Sequence, residues 1–495
     1  MMNSLRCALV LTLGLFLSAC ASIENGPINS FVSEVGPGSP EFIPDFGDDG
    51  STVLGLAFSG GGTRAAAFAY GVMRELDSYV VDLVPRQRTL LDDVRMVSGT
   101  SGGAIAAAYL AYRGQDAYRD FRERFLLQNA EASMRTSTRS PANLLRAIGG
   151  GVNDLNNLPQ WLNDNLFDGA TFGSLRKPDT PVTWITASDI FHGTPFLFTY
   201  DTFAALCSDL DKVRLADAVA ASAAVPVIFT PIVLSSDGPD CGYRRPAWID
   251  RALADPEASL RLSAYARALV AYSEMVRPRY VRLLDGGLTD NTGTTGLTLE
   301  RAAATTPHGP LSAEDAVKLR TMIYIAVDAG RSILPDWGDS TTGPKLSQLV
   351  PALTHTAVSS SMRSGYDALE LSIAEWRRRL IAFRCGLGSA QVKRYRGTLA
   401  GWNCRDVQIV VEHISFRDVA PERQQELFDV PTRLVLQPEQ VDLVIEAGRE
   451  AVKRRISIQR AVARTRIQAG VPAAAEPPRQ PEPLVGAVSA QNLTD

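Results

Sequence analysis

Short apolar runs alternate with Ala-rich stretches along most of this chain. Val53-Leu54-Gly55-Leu56-Ala57-Phe58 is an unbroken apolar run of the length of a buried strand. Thr63 to Leu76 then carries Ala, Met and Leu at helical spacing. The pair repeats: Arg95-Met96-Val97-Ser98 predicts a strand and Ala104 to Tyr112 a buried helix. Further strands are predicted over Pro181–Ala187, Thr194–Tyr200, Arg279–Leu284, Thr321–Asp328 and Asp406–Val411. Further helices are predicted over Leu215–Ala224, stopped by Pro226, over Ser340–Leu380, and as one long element over Pro438–Arg466. Strands alternating with helices imply an α/β fold, a three-layer sandwich with a mainly parallel central sheet.

The ends read differently. Residues 21–50 are rich in Gly, Pro, Ser and Asp, which predicts a flexible tether over 20–50. The core is expected over 51–330, a mostly helical extension packed on it over 331–470, and a Pro- and Ala-rich disordered tail over 471–495. At the N-terminus Arg6 precedes an apolar stretch, Cys7 to Leu17, too short to span a bilayer comfortably. Leu17-Ser18-Ala19-Cys20 follows and resembles the lipobox of bacterial lipoproteins. That resemblance implies a signal peptide over 1–19 and a lipid-bearing Cys20. By resemblance to the usual lipoprotein sorting rule, Ala21 and Ser22 after the cysteine imply the outer membrane, facing the periplasm. The simpler alternative is a secretory signal cut near Ala19 or Ala21, with Cys20 incidental.

Composition narrows the classes. The 495 residues are 45% hydrophobic, enough for a large core, and carry a net charge of −4, which offers no footprint for nucleic acid. Cys207, Cys241, Cys385 and Cys404 are an even set compatible with two disulfides in an exported chain. Three pairings exist; neighbour with neighbour is the simplest, and sequence does not choose. The Arg-rich end of the last helix reads first as a solvated face, with anionic lipid as the other reading.

Two Gly-rich turns carry the candidate chemistry. Gly99-Thr100-Ser101-Gly102-Gly103 lies between a strand and a helix and fits a nucleophile elbow, which presents a serine oxygen on a sharp turn. Gly99 and Gly103 are required where backbone passes too close for a Cβ. Gly60-Gly61-Gly62-Thr63-Arg64, about forty residues upstream, offers a row of N–H groups that can hold an oxyanion. Gly60-x-Gly62-x-x-Ala65 also fits a dinucleotide fingerprint, with Asp82 near the distance of a ribose-binding acid. Against that, Ser78 to Pro85 leads into the polar Arg86-Gln87-Arg88, and Arg64 is out of place in such a turn. A serine needs a base. His308 sits in a loop with no orienting context, and His192, His355 and His413 read like it as surface or structural residues, whereas Asp285 in Leu283-Leu284-Asp285-Gly286-Gly287 ends a predicted strand. An Asp before glycine is also a common turn former.

Taken together, Ser59 to Arg64, Gly99 to Gly103 and Asp285-Gly286-Gly287 resemble the patatin-like phospholipases, in that family's order. Ala221 to Pro231 resembles the family's Pro-bearing segment between nucleophile and aspartate. The resemblance covers roughly 53–330 and continues more weakly to the helix near Ile445. It implies a Ser101–Asp285 dyad without histidine that hydrolyses carboxylic esters of lipids, with oxyanion donors on Gly60, Gly61 and Gly62 and positive charge from Arg64. It implies neither a metal nor an organic cofactor. Ala65, where glycine is frequent, and Thr292-Gly293, near where a proline often stands, depart from the pattern. A noncatalytic envelope lipoprotein that binds lipid or a partner, and an esterase for small soluble esters, remain alternatives.

Overall fold

In the computed structural model, which describes residues 23–35, 43–46, 48–84, 86–137, 139–236, 238, 240–274, 279–331, 341 and 343–471, one eight-stranded sheet organises the chain. Its elements, in chain order, begin with β1 (Thr52–Phe58), α1 (Gly62–Leu76), β2 (Val94–Thr100) and α2 (Gly102–Ala117, interrupted at Gly114). A lobe follows with α3 (Pro141–Ile148) and the short β3 (Gly151–Asn153). Then come β4 (Val182–Asp189), β5 (Thr194–Leu197), α4 (Leu215–Ser222), β6 (Val227–Phe229), β7 (Ile232–Ser235) and β8 (Tyr280–Leu284). The chain continues with α5 (Gly287–Asp290), β9 (Thr321–Asp328), α6 (Leu346–Cys385), β10 (Gln408–Ser415), α7 (Pro438–Arg454) and α8 (Ile456–Gln468).

The strand order is β10-β9-β1-β2-β4-β8-β7, with β5 also on β4. The five strands β10, β9, β1, β2 and β4 are parallel. β5 and β8 run antiparallel to β4, and β7 antiparallel to β8. Alternate residues of each central strand enter opposite cores, as the two-residue period of a strand requires. Leu56, Val97, Ile185 and Ile323 join one apolar cluster with α1, α2 and α7; Ala57, Met96, Trp184 and Met322 join another with Trp376 and Leu380 of α6. Both faces of the sheet are therefore covered, and the fold is a three-layer α/β sandwich.

Four expectations shift. Residues after Thr199 turn helical rather than extending β5, because the Thr199 side chain accepts the Thr202 N–H (3.3 Å) and caps a helix. The C-terminal helix is two helices, broken at Arg455, whose backbone is extended and whose guanidinium is tied to Asp418 and the His413 carbonyl. The extension beyond 330 not only packs on the core but supplies the edge strand β10. Residues 23–35 of the expected tether lie along the body. Ile28 and Val32 N–H groups donate to Val233 and Cys207 carbonyls at 3.0 and 2.9 Å, and Ser30 accepts from Asp209. The Arg-rich end is engaged with acids, Arg455 with Asp418, Arg464 with Asp406 and Lys453 with Glu75. Disulfides join Cys207 to Cys241 and Cys385 to Cys404. Cys20, the 1–19 segment and residues 472–495 lie outside the described residues.

Candidate active site

β2 and α2 meet at Ser101, and the turn between them is too tight for ordinary backbone. Ser101 has φ 53° and ψ −123°, rare for a residue with a side chain. Close packing holds it there: a Cβ on Gly103 would lie 2.3 Å from the Phe58 carbonyl oxygen, and one on Gly99 2.5 Å from the Gly103 oxygen. The Ser101 N–H donates to Ser222 Oγ (2.8 Å), and Ser222 Oγ donates to the Thr186 carbonyl (2.6 Å). Ser101 is 8% exposed, so little of it reaches solvent.

Asp285 follows β8, and the end of α4 positions it. Its N–H donates to the Ala224 carbonyl (2.9 Å), and the Gly286 N–H donates to Ser222 O (3.0 Å). Ser188 Oγ, on β4, donates to the Asp285 carbonyl at 2.8 Å. The Gly287 N–H donates to Asp285 Oδ1 at 2.8 Å. Burial pushes the Asp285 carboxyl up from 3.8 to about 6, while hydrogen bonds from Gly287 and the Ser101 side chain hold it back. A carboxylate with that value beside a serine hydroxyl is a usable general base near neutral pH. No described histidine bonds to either residue: His192 pairs with Asp189 at 2.5 Å, His413 with Asp328 at 3.4 Å, and His308 with the Leu311 carbonyl.

The Gly60–Arg64 loop lies against the elbow. A Cβ on Gly60 would stand 3.2 Å from Ser101 Cβ, and one on Gly102 2.1 Å from the Gly62 oxygen. Gly61 and Gly62 have φ 144° and 61°, which only glycine adopts freely. Their N–H groups, and that of Gly102 at the start of α2, have no acceptor among the described residues. They stand at two helix N-termini, where anionic charge is favoured. Gly60 leaves the expected donor set, because its N–H already donates to the Asn291 carbonyl (3.1 Å).

Arg64, expected to add positive charge beside the donors, is held beneath the loop. It is buried, and its Nε and Nη1 donate to the carbonyls of Ala329 (3.1 Å) and Val430 (2.8 Å). Its remaining nitrogen, Nη2, lies 3.2 Å from where a Gly61 Cβ would be. Burial, with Arg331 nearby, lowers it to about 9 against the pull of Asp328. Its main contacts are those of a brace under the loop. Gly102, Ser222 and Asn291 are site residues that reasoning from the sequence passed over. The residue after an elbow serine is a general signal for the first; the other two act through backbone bonds that no local pattern reveals.

A family model for patatin-like phospholipase matches residues 56–298, which hold Ser101, Asp285 and the Gly-rich loop. No curated protein matches the chain in sequence. Among solved structures, human GIVD cytosolic phospholipase A2 is similar at 13% identity and a TM-score of 0.42, over 85% of this chain and 61% of that one. This chain thus spans less than two thirds of that protein's length. The ExoU–SpcU complex of the Pseudomonas aeruginosa type III secretion system is similar at 15% identity and a TM-score of 0.21, over 90% of this chain and 96% of that one. Residues 56–298 thus form a patatin-like phospholipase domain.

Proposed function

We propose that this protein is a lipid acyl hydrolase that cleaves carboxylic-ester bonds of phospholipids or related lipids through a Ser101–Asp285 dyad. The observation that carries the reading is a serine held at φ 53° on a strand-to-helix turn, with the backbone of Ser101 and of Asp285 both fixed by residues 222–224; burial that raises the Asp285 carboxyl supports it. Ser101 Oγ attacks the ester carbonyl carbon as its proton passes to Asp285. The N–H groups of Gly61, Gly62 and Gly102 hold the oxyanion. The alkoxide leaves with that proton, and an acyl-serine remains. Water, deprotonated by Asp285, then attacks the acyl-serine, releases the fatty acid and returns the proton to Ser101. Cys20 carries the lipid anchor in this reading, and the enzyme works in the bacterial envelope on the periplasmic face of the outer membrane.

The test is fluorophosphonate labelling, followed by mass spectrometry of products from a mixed lipid extract. Labelling at Ser101 with release of fatty acid supports the reading. Labelling with turnover only of short soluble esters makes the protein a small-ester esterase. No labelling at all makes it a binding lipoprotein.

A further inference from the structure

Helix α3 is inside out. Its one buried residue is Arg146, which pairs with Asp154 at 3.3 Å, whereas Leu144, Leu145 and Ile148 are 61, 49 and 77% exposed. A helix resting on a water-soluble body normally does the reverse. Beside it, β3 pairs in parallel with β6, Gly151 opposite Val227, and Asn153 Nδ2 donates to the Ile228 carbonyl at 3.0 Å. Val227 and Ile228 are themselves 51 and 46% exposed, and Val227 has φ 73°, a conformation that costs a β-branched residue. Five large apolar side chains thus project from two joined elements.

Two connections bear on what covers them. The first leads to the candidate active site: Val227 is three residues after Ala224, whose carbonyl holds the Asp285 N–H. The second leads to the N-terminus. Ile23 Cδ1 lies 3.8 Å from where a Cβ on Gly149 would be, at the end of α3, and the Glu24 carbonyl accepts the Leu155 N–H at 2.8 Å. Cys20 is three residues before Ile23. Covalent geometry alone keeps its Cα within ~11 Å of Ile23.

We infer that α3 and the Val227–Ile228 tip are a docking face that enters the bilayer surface carrying the Cys20 anchor, so that the enzyme acts on the membrane to which it is tethered. The inference rests on the lipid-anchor reading and names the partner of the proposed hydrolase. One lipidated cysteine fixes position but not orientation. An apolar face beside it fixes both, and adds its own buried apolar area to the anchor.

The experiment uses the full chain, expressed with its own N-terminus, carrying Ser101→Ala and reconstituted in phosphatidylcholine vesicles. Ile148→Cys, Ile228→Cys and Leu371→Cys are labelled in turn with an environment-sensitive fluorophore. Leu371, 74% exposed on α6, is the control. Labels at 148 and 228 should shift to the blue and be quenched by bromolipid, at any salt concentration, while the label at 371 stays solvent-like. Solvent-like spectra at 148 and 228, or equal shifts at all three sites, overturn the inference. Burial of these labels in vesicle-free protein also overturns it and makes a second copy of the chain the occupant. With Ser101 restored, the combined Leu144→Ser, Leu145→Ser and Ile148→Ser variant should hydrolyse vesicle lipid about tenfold more slowly and a monomeric short-chain ester at the normal rate. Loss on both substrates also overturns the inference. If the parent chain hydrolyses neither substrate, the proposed activity fails, and the fluorescence result alone decides the docking face.

Discussion

The two sides of the candidate site are built from different parts of the chain. The proposed nucleophile and base are framed within residues 56–298: Phe58 against Gly103, Ser222 on the Ser101 N–H, and Ala224 on the Asp285 N–H. The oxyanion side leans on residues outside that span. The Thr63 N–H donates to the Arg433 carbonyl (2.8 Å), and Arg64 donates to Ala329 and Val430. Behind the loop, a Cβ on Gly71 of α1 would lie 2.0 Å from the Ile445 oxygen, and one on Gly448 of α7 2.4 Å from the Phe68 oxygen. Helices α1 and α7 therefore cross almost backbone to backbone. The attacking half of the proposed chemistry is local to residues 56–298, and its charge-stabilising half leans on the C-terminal extension.

The largest effect should come from the local half. Ser101→Ala should lower kcat on the order of 10⁶-fold, because no acyl-enzyme can form. Single-turnover rates with the folded variant measure it, and substantial residual turnover would move the nucleophile elsewhere.

Asp285→Asn should cost roughly 10²–10⁴ in kcat. The wild-type kcat/KM should rise with pH through about 6 and then level, since only the carboxylate accepts the serine proton. That inflection should vanish in the variant. The same shift makes a stability prediction of opposite sense. A carboxyl raised above its unfolded value of about 3.9 stabilises the fold fully only below that value, and the contribution is lost as pH climbs through about 6. Asp285→Asn should therefore melt higher than wild type at pH 8, with the gap closing toward pH 4. A lower melting temperature at pH 8 would contradict the buried charge.

Gly62→Ala tests the remote half. Its Cβ would lie 2.4 Å from the Arg433 oxygen at φ 61°, so the loop must shift. Loss of aligned donors should cost roughly 10²–10³ in kcat, with little change in KM. A normal kcat would remove this loop from the oxyanion site.

Arg64→Met should show the smallest kinetic effect. A brace lost from two buried carbonyls costs about 1–3 kcal/mol of stability, read as a lower melting temperature. Below that temperature kcat per folded molecule should stay near normal. A large kcat loss in a fully folded variant would restore a direct electrostatic role to the guanidinium.

The sequence carries the local half far better than the remote half. Buried parallel strands are apolar runs ending in glycine turns, so β1, β2, β4 and β9 lie within a few residues of where the runs place them. The elbow is equally plain, because its glycines and its serine fall in five consecutive positions. The bracing of the donor loop was not legible. It uses main-chain carbonyls of Val430 and Arg433, and a carbonyl has no letter in a sequence. Gly60 failed as a donor for the same reason, its partner being the Asn291 backbone. The break at Arg455 was hidden because the anchors of that residue, Asp418 and the His413 carbonyl, come from β10 and the turn after it.

Ser222 has a consequence for how the site tolerates change. Within three residues, 222–224, the end of α4 holds the Ser101 N–H, the Gly286 N–H and the Asp285 N–H. Ser101 and Asp285 are thus both gauged from one short reference piece, not from each other across the sheet. In a machine assembled this way, errors in the frame do not accumulate at the working gap. Strands may drift, or their side chains be exchanged over time, and the spacing on which proton transfer depends travels with the datum.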